Sequence, residues 1–225
     1  QAFGQLKLID SEVRNSQAVR GGGVFVGNGG TLTLNRSSII DNSATNGGGL
    51  YVDATGTLVT INSTLSQNDA TTVGDAIDNR GSTSLYATTI AYNGLASTPA
   101  SQTIANAENK KLVLKNTLVA SNTSLVDTTG DFNSHGSNLI SNVGAATGFG
   151  LVSYLYDQTG GTGTTAILDA KIGPLYLQGG RTRTIQMLAN SPAMDSGSSF
   201  GAPLVDQRGA ARKLDGLDIN KPLDT

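Results

Sequence analysis

Six residues, Gly21-Gly22-Gly23-Val24-Phe25-Val26, return as Gly47-Gly48-Gly49-Leu50-Tyr51-Val52 at an offset of 26. A weaker copy, Gly74-Asp75-Ala76-Ile77-Asp78, begins 25 residues after Gly49. Each copy leads through a polar turn into a second alternating stretch: Leu32-Thr33-Leu34, Leu58-Val59-Thr60-Ile61 and Leu85-Tyr86-Ala87. Another apolar position follows five residues on, as in Leu8 then Val13, Leu34 then Ile39, Leu85 then Ile90, and Leu114 then Val119. An asparagine comes shortly after, at Asn15, Asn42, Asn68, Asn93 and Asn122, with spacings of 27, 26, 25 and 29. Self-similarity at such a period marks a chain that folds by stacking one structural unit on the next.

Each unit holds three short alternating stretches divided by Gly, Asn, Asp and Ser. Strands this short bury one face only when every second side chain points inward and neighbours cover the rest. The pattern therefore predicts an all-β fold, a right-handed parallel β-helix whose coils are about 25–27 residues long. Equivalent residues then lie about 4.8 Å apart along the axis. Inward Val, Leu and Ile form apolar ladders, and the repeated asparagines form an amide ladder at a corner. Asparagine suits a corner because it tolerates left-handed backbone angles. The glycine triplets let the chain bend sharply before the next strand. A β-sandwich explains the strand lengths but not a motif recurring near 26, and the Leu-x-x-Leu-x-Leu pattern of leucine-rich repeats is missing.

Composition agrees. Charged residues make up only 14% of the 225, against about 25% in an average chain, while 37% are apolar. Disorder needs the opposite balance. A net charge of −2 gives no attraction to nucleic acid or anionic lipid. No apolar run approaches the roughly 20 residues that span a bilayer. The absence of cysteine excludes a disulfide scaffold and thiolate metal sites.

The repeat becomes illegible near Asn142. Residues 1–141 are expected to form the coils and residues 142–225 an irregular C-terminal cap continuous with them, since terminal units of a solenoid cover its core. At the other end, Leu6-Lys7-Leu8 is already in coil pattern. The first coil is thus expected to be covered by upstream residues or by another chain, which would permit end-to-end assembly into fibres.

The two triple-glycine coils resemble the repeats of polymorphic outer-membrane and autotransporter-like β-helices. The later segments Asn116-Thr117-Leu118-Val119-Ala120-Ser121-Asn122, Gly136-Ser137-Asn138-Leu139-Ile140, Gly173-Pro174-Leu175, Ser191-Pro192-Ala193-Met194-Asp195-Ser196-Gly197 and Asp206-Gln207-Arg208-Gly209 resemble the bacterial choice-of-anchor Q domain. They fall within nearly half of the chain. The resemblance implies an exported, surface-associated protein whose longer relatives carry varied C-terminal anchors. It implies no catalytic residues.

Candidate chemistry is sparse. Aligning Gly49 with Gly74 places Asp53 and Asp78 at one position on adjacent coils, about 5 Å apart. Such a pair suits acid/base work on a glycosidic bond, or a calcium ion with Asn28 or Asn79 nearby. It equally suits two turn residues that accept backbone hydrogen bonds. The acidic group Asp206, Asp215, Asp218 and Asn220 lacks the spacing of an EF-hand and reads as turn chemistry. Gly160-Gly161-Thr162-Gly163-Thr164-Thr165 misses the aspartate of a calcium nonapeptide. His135 is the single histidine, without partners for a triad or a zinc site. Arg181 and Arg183 alternate on one possible strand face and are placed to pair with carboxylates of the cap.

The expectation is a non-catalytic extracellular structural or adhesive protein of a bacterial surface. No catalytic or cofactor-binding residue is assigned, and calcium at Asp53 and Asp78 is the one metal considered. Its partners would be itself or a surface polysaccharide or protein, without nucleic acid. The alternative is a polysaccharide lyase or glycoside hydrolase of the pectin-degrading β-helix type.

Overall fold

The computed structural model describes residues 3–94, 102–149, 156–161 and 167–212. It is all-β, and its parallel sheets stack into a right-handed solenoid of about five turns. The first turn has four strands: β1 (Gln5–Ile9), β2 (Glu12–Arg14), β3 (Gln17–Arg20) and β4 (Val24–Val26). The second repeats them as β5 (Thr31–Asn35), β6 (Ser38–Ile40), β7 (Ser43–Asn46) and β8 (Leu50–Val52). The third holds β9 (Thr57–Ile61), β10 (Thr64–Ser66), β11 (Asp69–Val73) and β12 (Ile77–Asn79). Later turns contribute β13 (Ser82–Tyr86), β14 (Thr89–Ala91) and β15 (Gln102–Asn106), then β16 (Lys111–Lys115), β17 (Leu118–Ala120) and β18 (Val126–Thr129). Short strands β19 (Asn133–Ser134), β20 (Leu139–Ile140) and β21 (Gln158–Thr159) follow. A hairpin of β22 (Ile172–Leu177) and β23 (Arg183–Met187) ends the series.

Strands one turn apart pair in parallel and form four faces. The first face runs β1-β5-β9-β13-β16-β19 and the second runs β2-β6-β10-β14-β17-β20-β21. The third joins β3, β7 and β11, and the fourth joins β4, β8, β12, β15 and β18. The third face gives the first three turns a strand more than the sequence suggested. Its only inward ladder is Ala18, Ala44 and Ala70, too small to register as a hydrophobic stripe.

The core is a set of ladders. Val13, Ile39, Leu65, Ile90, Val119 and Ile140 stack on the second face. On the fourth, Val24, Leu50, Ile77 and Ile104 do the same. Thr60 interrupts a leucine ladder on the first face, over Leu34 and under Leu85. Its hydroxyl is satisfied there by Thr88 at 2.6 Å, so the interruption leaves no orphaned polar atom.

Corners are built by rows of left-handed residues that only stacking makes affordable. Asp10, Arg36, Asn62, Ala87, Asn116 and Ser137 turn the chain from first face to second, with φ between 48° and 57°. Asn15, Asp41, Gln67, Tyr92 and Ser121 turn it from second to third. Left-handed geometry costs an L-residue about 1–2 kcal/mol. Backbone bonds between turns offset it, as in Arg36 N–H to Ile61 O at 3.0 Å and Asn62 N–H to Tyr86 O at 3.1 Å. The third corner uses Gly21, Gly47 and Gly74 at φ +62°, +64° and +73°. Beside them, a Cβ on Gly22 would run into the carbonyls of Gly48 and Ser43, so that position admits glycine alone.

The asparagine ladder is present, with one member replaced. The Nδ2 groups of Asn42 and Asn68 donate to Asn68 Oδ1 and Asn93 Oδ1, each at 3.0 Å, and that of Asn93 donates to Asn122 Oδ1 at 3.1 Å. Each Oδ1 also accepts a backbone N–H one turn back, for instance that of Asn42 or Asn68. Asn15 lies outside it, because Asn15 occupies the left-handed row and Ser16 takes the ladder position below Asn42. The ladder residue is therefore the one after the left-handed residue. At its far end the ladder meets a carboxylate, Asp127, which accepts from Asn122 Nδ2 at 2.8 Å and from the Asn142 N–H at 2.8 Å.

The C-terminal region does more than close an end. The coils continue past Asn142, since β21 pairs with β20. Residues 167–212 then run back along the outside of the second face to the first turn. Arg183 binds Glu12 there through its backbone N–H and guanidinium, both at 2.7 Å. Outward-facing Ile40, Ser66, Ala91 and Ala120 are each no more than 1% exposed beneath this strap. A second small core of Ala120, Leu139 and Ala170 packs against Leu168, Ile172 and Ala193.

Candidate functional site

The fourth face carries the residues singled out for chemistry. Between its inward positions, Phe25, Tyr51, Asp78 and Ala105 form one outward row. Asp78 therefore stacks on Tyr51 and not on Asp53. The offset here is 27, one more than the 26 between the first two coils, because β11 holds one residue more than β7 between the partner pairs Ala70/Ala44 and Val73/Asn46. Gly74 consequently aligns with Gly47, as its backbone angle and bonding show, and not with Gly49. The position over Asp53 belongs to Arg80, since the Asp53 N–H bonds Val26 O and the Arg80 N–H bonds Val52 O.

Arg80 organises what the carboxylates were expected to form between themselves. Its Nη2 and Nε donate to Asp78 Oδ2 at 3.1 and 3.2 Å. Its guanidinium also lies 5.3 Å from the centre of the Tyr51 ring, a cation–π distance. Burial pushes the Asp78 carboxyl upward, opposed by Arg80, while the hydrogen bond that Arg80 donates to Asp78 raises Arg80. The two directions differ because Asp78 gives up its hydration, being 3% exposed at the side chain, whereas Arg80 keeps 46%. Asp53 adds to the field that holds Arg80 protonated. A guanidinium so held is a poor Brønsted base. A cation already sits between the acidic groups, and it is the protein's own.

Rings continue the row toward the first turn. Phe25 and Tyr51 stack at 5.4 Å with 19° between planes, and Phe3 meets Phe25 edge-on at 6.1 Å. Arg20 lies 5.4 and 5.3 Å from the Phe25 and Tyr51 centroids. Tyr51 is buried although it points outward.

The other candidates are dispersed. Asn79 points inward to Asn106 at 2.6 Å, and Asn28 accepts from Thr55 in a turn, so neither joins Asp78. His135 is exposed in a turn. Asp206 pairs with Arg208 and accepts the backbone N–H groups of Arg208 and Ala210, the turn chemistry expected of it. Asp215, Asp218, Asn220 and Thr162 to Thr165 lie outside the described residues. Arg183 pairs with a carboxylate of the first turn, Glu12, and not with one of the cap as expected. Among the described residues no group of three or more His, Asp or Glu is placed to hold a metal ion, and no helix is long and apolar enough to cross a membrane.

Sequence reasoning passed over Arg80 and Arg20. The available signal was the i, i+2 spacing of Asp78 and Arg80, which puts both on one side of a strand. No family model, curated protein or solved structure matches this chain.

Proposed function

We propose that this chain is a non-catalytic extracellular β-helix of a bacterial surface, with a structural or adhesive task. The observation that carries the reading is that corners, not only strands, are hydrogen-bonded from turn to turn. Gly21, Gly22, Gly47 and Gly48 donate to carbonyls of the next coil at 2.9–3.0 Å, and the left-handed rows do likewise. A chain whose turns are pinned this way offers a protease few segments that open locally. That suits exposure outside a cell. The resemblance of the later segments to choice-of-anchor Q domains supports the same placement. Asp53 and Asp78 act here as partners of Arg80, stiffening the face.

The test is to label intact and lysed cells of a strain that makes the protein with an antibody against the folded coils. Labelling of intact cells, and its removal by external protease only after prolonged digestion, is the expected result. Labelling confined to lysed cells overturns the placement. Release of unsaturated or reducing sugar from acidic polysaccharides by purified protein overturns the non-catalytic part.

Self-association follows as a corollary. Leu6, Leu8 and Val13 in the first turn cover the core only partly and are themselves half-exposed. Another coil, of this chain or a second one, would bury them. Electron microscopy at rising concentration is expected to show end-to-end particles, and uniform monomers throughout contradict the corollary.

A further inference from the structure

Three asparagines of the chain precede a glycine: Asn28, Asn46 and Asn93. In such a pair the glycine nitrogen can attack the amide carbon of the asparagine side chain, since no Cβ blocks its approach. What the fold places around the two groups decides whether it does, and the three pairs differ.

Asn93 is sealed in the amide ladder. Its side chain is buried, its Oδ1 accepts from the Asn68 N–H and Nδ2, and its Nδ2 donates to Leu65 O and Asn122 Oδ1. The Gly94 N–H donates to Asn68 O at 2.8 Å. Asn46 ends β7, and the Gly47 N–H donates to Val73 O at 2.9 Å in the glycine corner. In both pairs the attacking nitrogen is tied to a backbone carbonyl of the stack, which holds the N–H and has no proton of its own to pass on.

Asn28 sits instead in an exposed turn, closed by the Gly30 N–H donating to Gly27 O at 2.9 Å. Thr55, in the corresponding turn of the next coil, touches both reacting groups. Its Oγ1 accepts the Gly29 N–H at 2.9 Å and donates to Asn28 Oδ1 at 3.2 Å. The Thr55 N–H donates to the same Oδ1 at 3.1 Å. A hydroxyl can accept and donate at once. Two donors on a carbonyl oxygen stabilise the negative charge that develops there when the carbon is attacked. The same hydroxyl is placed to take the proton that the attacking nitrogen must lose.

We propose that Asn28-Gly29 is a self-modification site, at which Thr55 promotes conversion of the asparagine to aspartate and isoaspartate. Gly29 N bonds to Asn28 Cγ and gives its proton to Thr55 Oγ1, whose own proton passes to Oδ1. Collapse of this intermediate re-forms the C=O bond and breaks the Cγ–Nδ2 bond. The amide leaves as ammonia, carrying the Oδ1 proton. Water then opens the cyclic imide at either carbonyl. One water is consumed, one ammonia is released, and the turn gains a carboxylate. The chemistry is independent of where the protein resides.

The experiment incubates the folded full chain in mildly alkaline buffer and follows all three sites by peptide mapping and mass spectrometry. Wild type in denaturant, Thr55→Val and Thr55→Ser are run beside it. Asn28 is expected to convert first, and about tenfold faster in the folded chain than in the denatured one. That is less than the roughly hundredfold or more of an enclosed acid–base group, because water reaches this turn. Thr55→Val, which keeps the shape and the backbone donor, is expected to lose the acceleration with the coils still folded, and Thr55→Ser to retain it. An Asn28 rate no higher in the folded chain than in denaturant overturns the proposal. So does conversion of Asn46 or Asn93 ahead of Asn28, a Thr55→Val rate equal to wild type, or loss of the acceleration in Thr55→Ser.

Discussion

The coils and the strap bury polar groups by opposite means. In the coils, a polar side chain finds its own kind one turn away, as in the amide ladder from Asn42 to Asn122 and in the Ser37 N–H to Ser63 Oγ bond at 3.2 Å. In the strap, polar side chains bond to partners that no repeat specifies. Gln207 Nε2 alone lies within 3.0–3.4 Å of Ser37 O, Ser38 Oγ, Thr182 Oγ1 and Arg183 O, while its Oε1 accepts from Thr64 at 2.7 Å. Large apolar residues divide the same way. Leu32, Leu34, Leu58 and Leu65 are fully buried, whereas the strap leaves Leu177, Phe200 and Leu204 at 59%, 79% and 75% exposure. Repetition yields a cooperative stack; individual bonds yield a cover that can loosen while the stack persists.

The difference predicts a ranked series. Asn68→Ala removes a central rung: the Asn42 N–H loses its acceptor, Asn42 Nδ2 keeps only Val13 O, Ile39 O loses the amide donor, and Asn93 Oδ1 keeps only the Asn68 N–H. Denaturant unfolding should lose about 3 kcal/mol or more, given about 1–3 kcal/mol for the buried Asn42 N–H left unpaired and about 0.5–1.5 kcal/mol for each further hydrogen bond lost, and all coils should unfold together. A loss below about 1 kcal/mol would break the ladder argument.

Next comes the ladder's charged end. Burial raises Asp127 from 3.8 to about 6, against the pull of Asn122, Asn142 and Ser141. Its folded pKa lies above its unfolded one, so its contribution to stability is fully present below about pH 4. It is lost as pH rises through about 6. On the order of 3 kcal/mol should disappear across that window, at about 1.4 kcal/mol per pKa unit. Asp127→Asn should flatten this dependence, and an unchanged pH profile in that variant would contradict the assignment.

Smaller effects are expected in the strap. Gln207→Ala should cost about 1–2 kcal/mol, and amide exchange should quicken at β22 and β23 without change in β5 or β9. Arg183→Ala, which breaks a half-exposed ion pair with Glu12, should cost under about 1 kcal/mol and again loosen only the strap. Exchange that quickened equally in coils and strap would erase the distinction between them.

What the sequence disclosed follows from the same contrast. Apolar ladders on three faces and the rungs Asn42, Asn68, Asn93 and Asn122 repeat and are legible. The third face escaped notice because Ala18, Ala44 and Ala70 carry little apolar signal. Asn15 misled because a left-handed corner accepts asparagine as readily as the ladder does. Asp53 and Asp78 misled because Asp75 and Ala76 fill the places of Gly48 and Gly49. The first glycine of a degraded triplet was then matched to the last glycine of an intact one. The path of residues 167–212 along the second face was illegible for a plainer reason. Its anchors, Glu12 with Arg183 and Ser38 with Gln207, are separated by 171 and 169 residues and recur nowhere.

The central claim is the register, with Asp78 over Tyr51. Since the chain contains no cysteine, two pairs of introduced cysteines read it directly: Tyr51→Cys with Asp78→Cys, and Asp53→Cys with Asp78→Cys. Register partners on adjacent parallel strands lie about 4.8 Å apart, inside the range of about 4.4–6.8 Å that a disulfide spans. A position two residues along adds roughly 6.6 Å and falls outside it. Mild oxidation should close the first pair rapidly and leave the second as free thiols. Closure of the second pair with the first left open would contradict the stacking from which the rest is built.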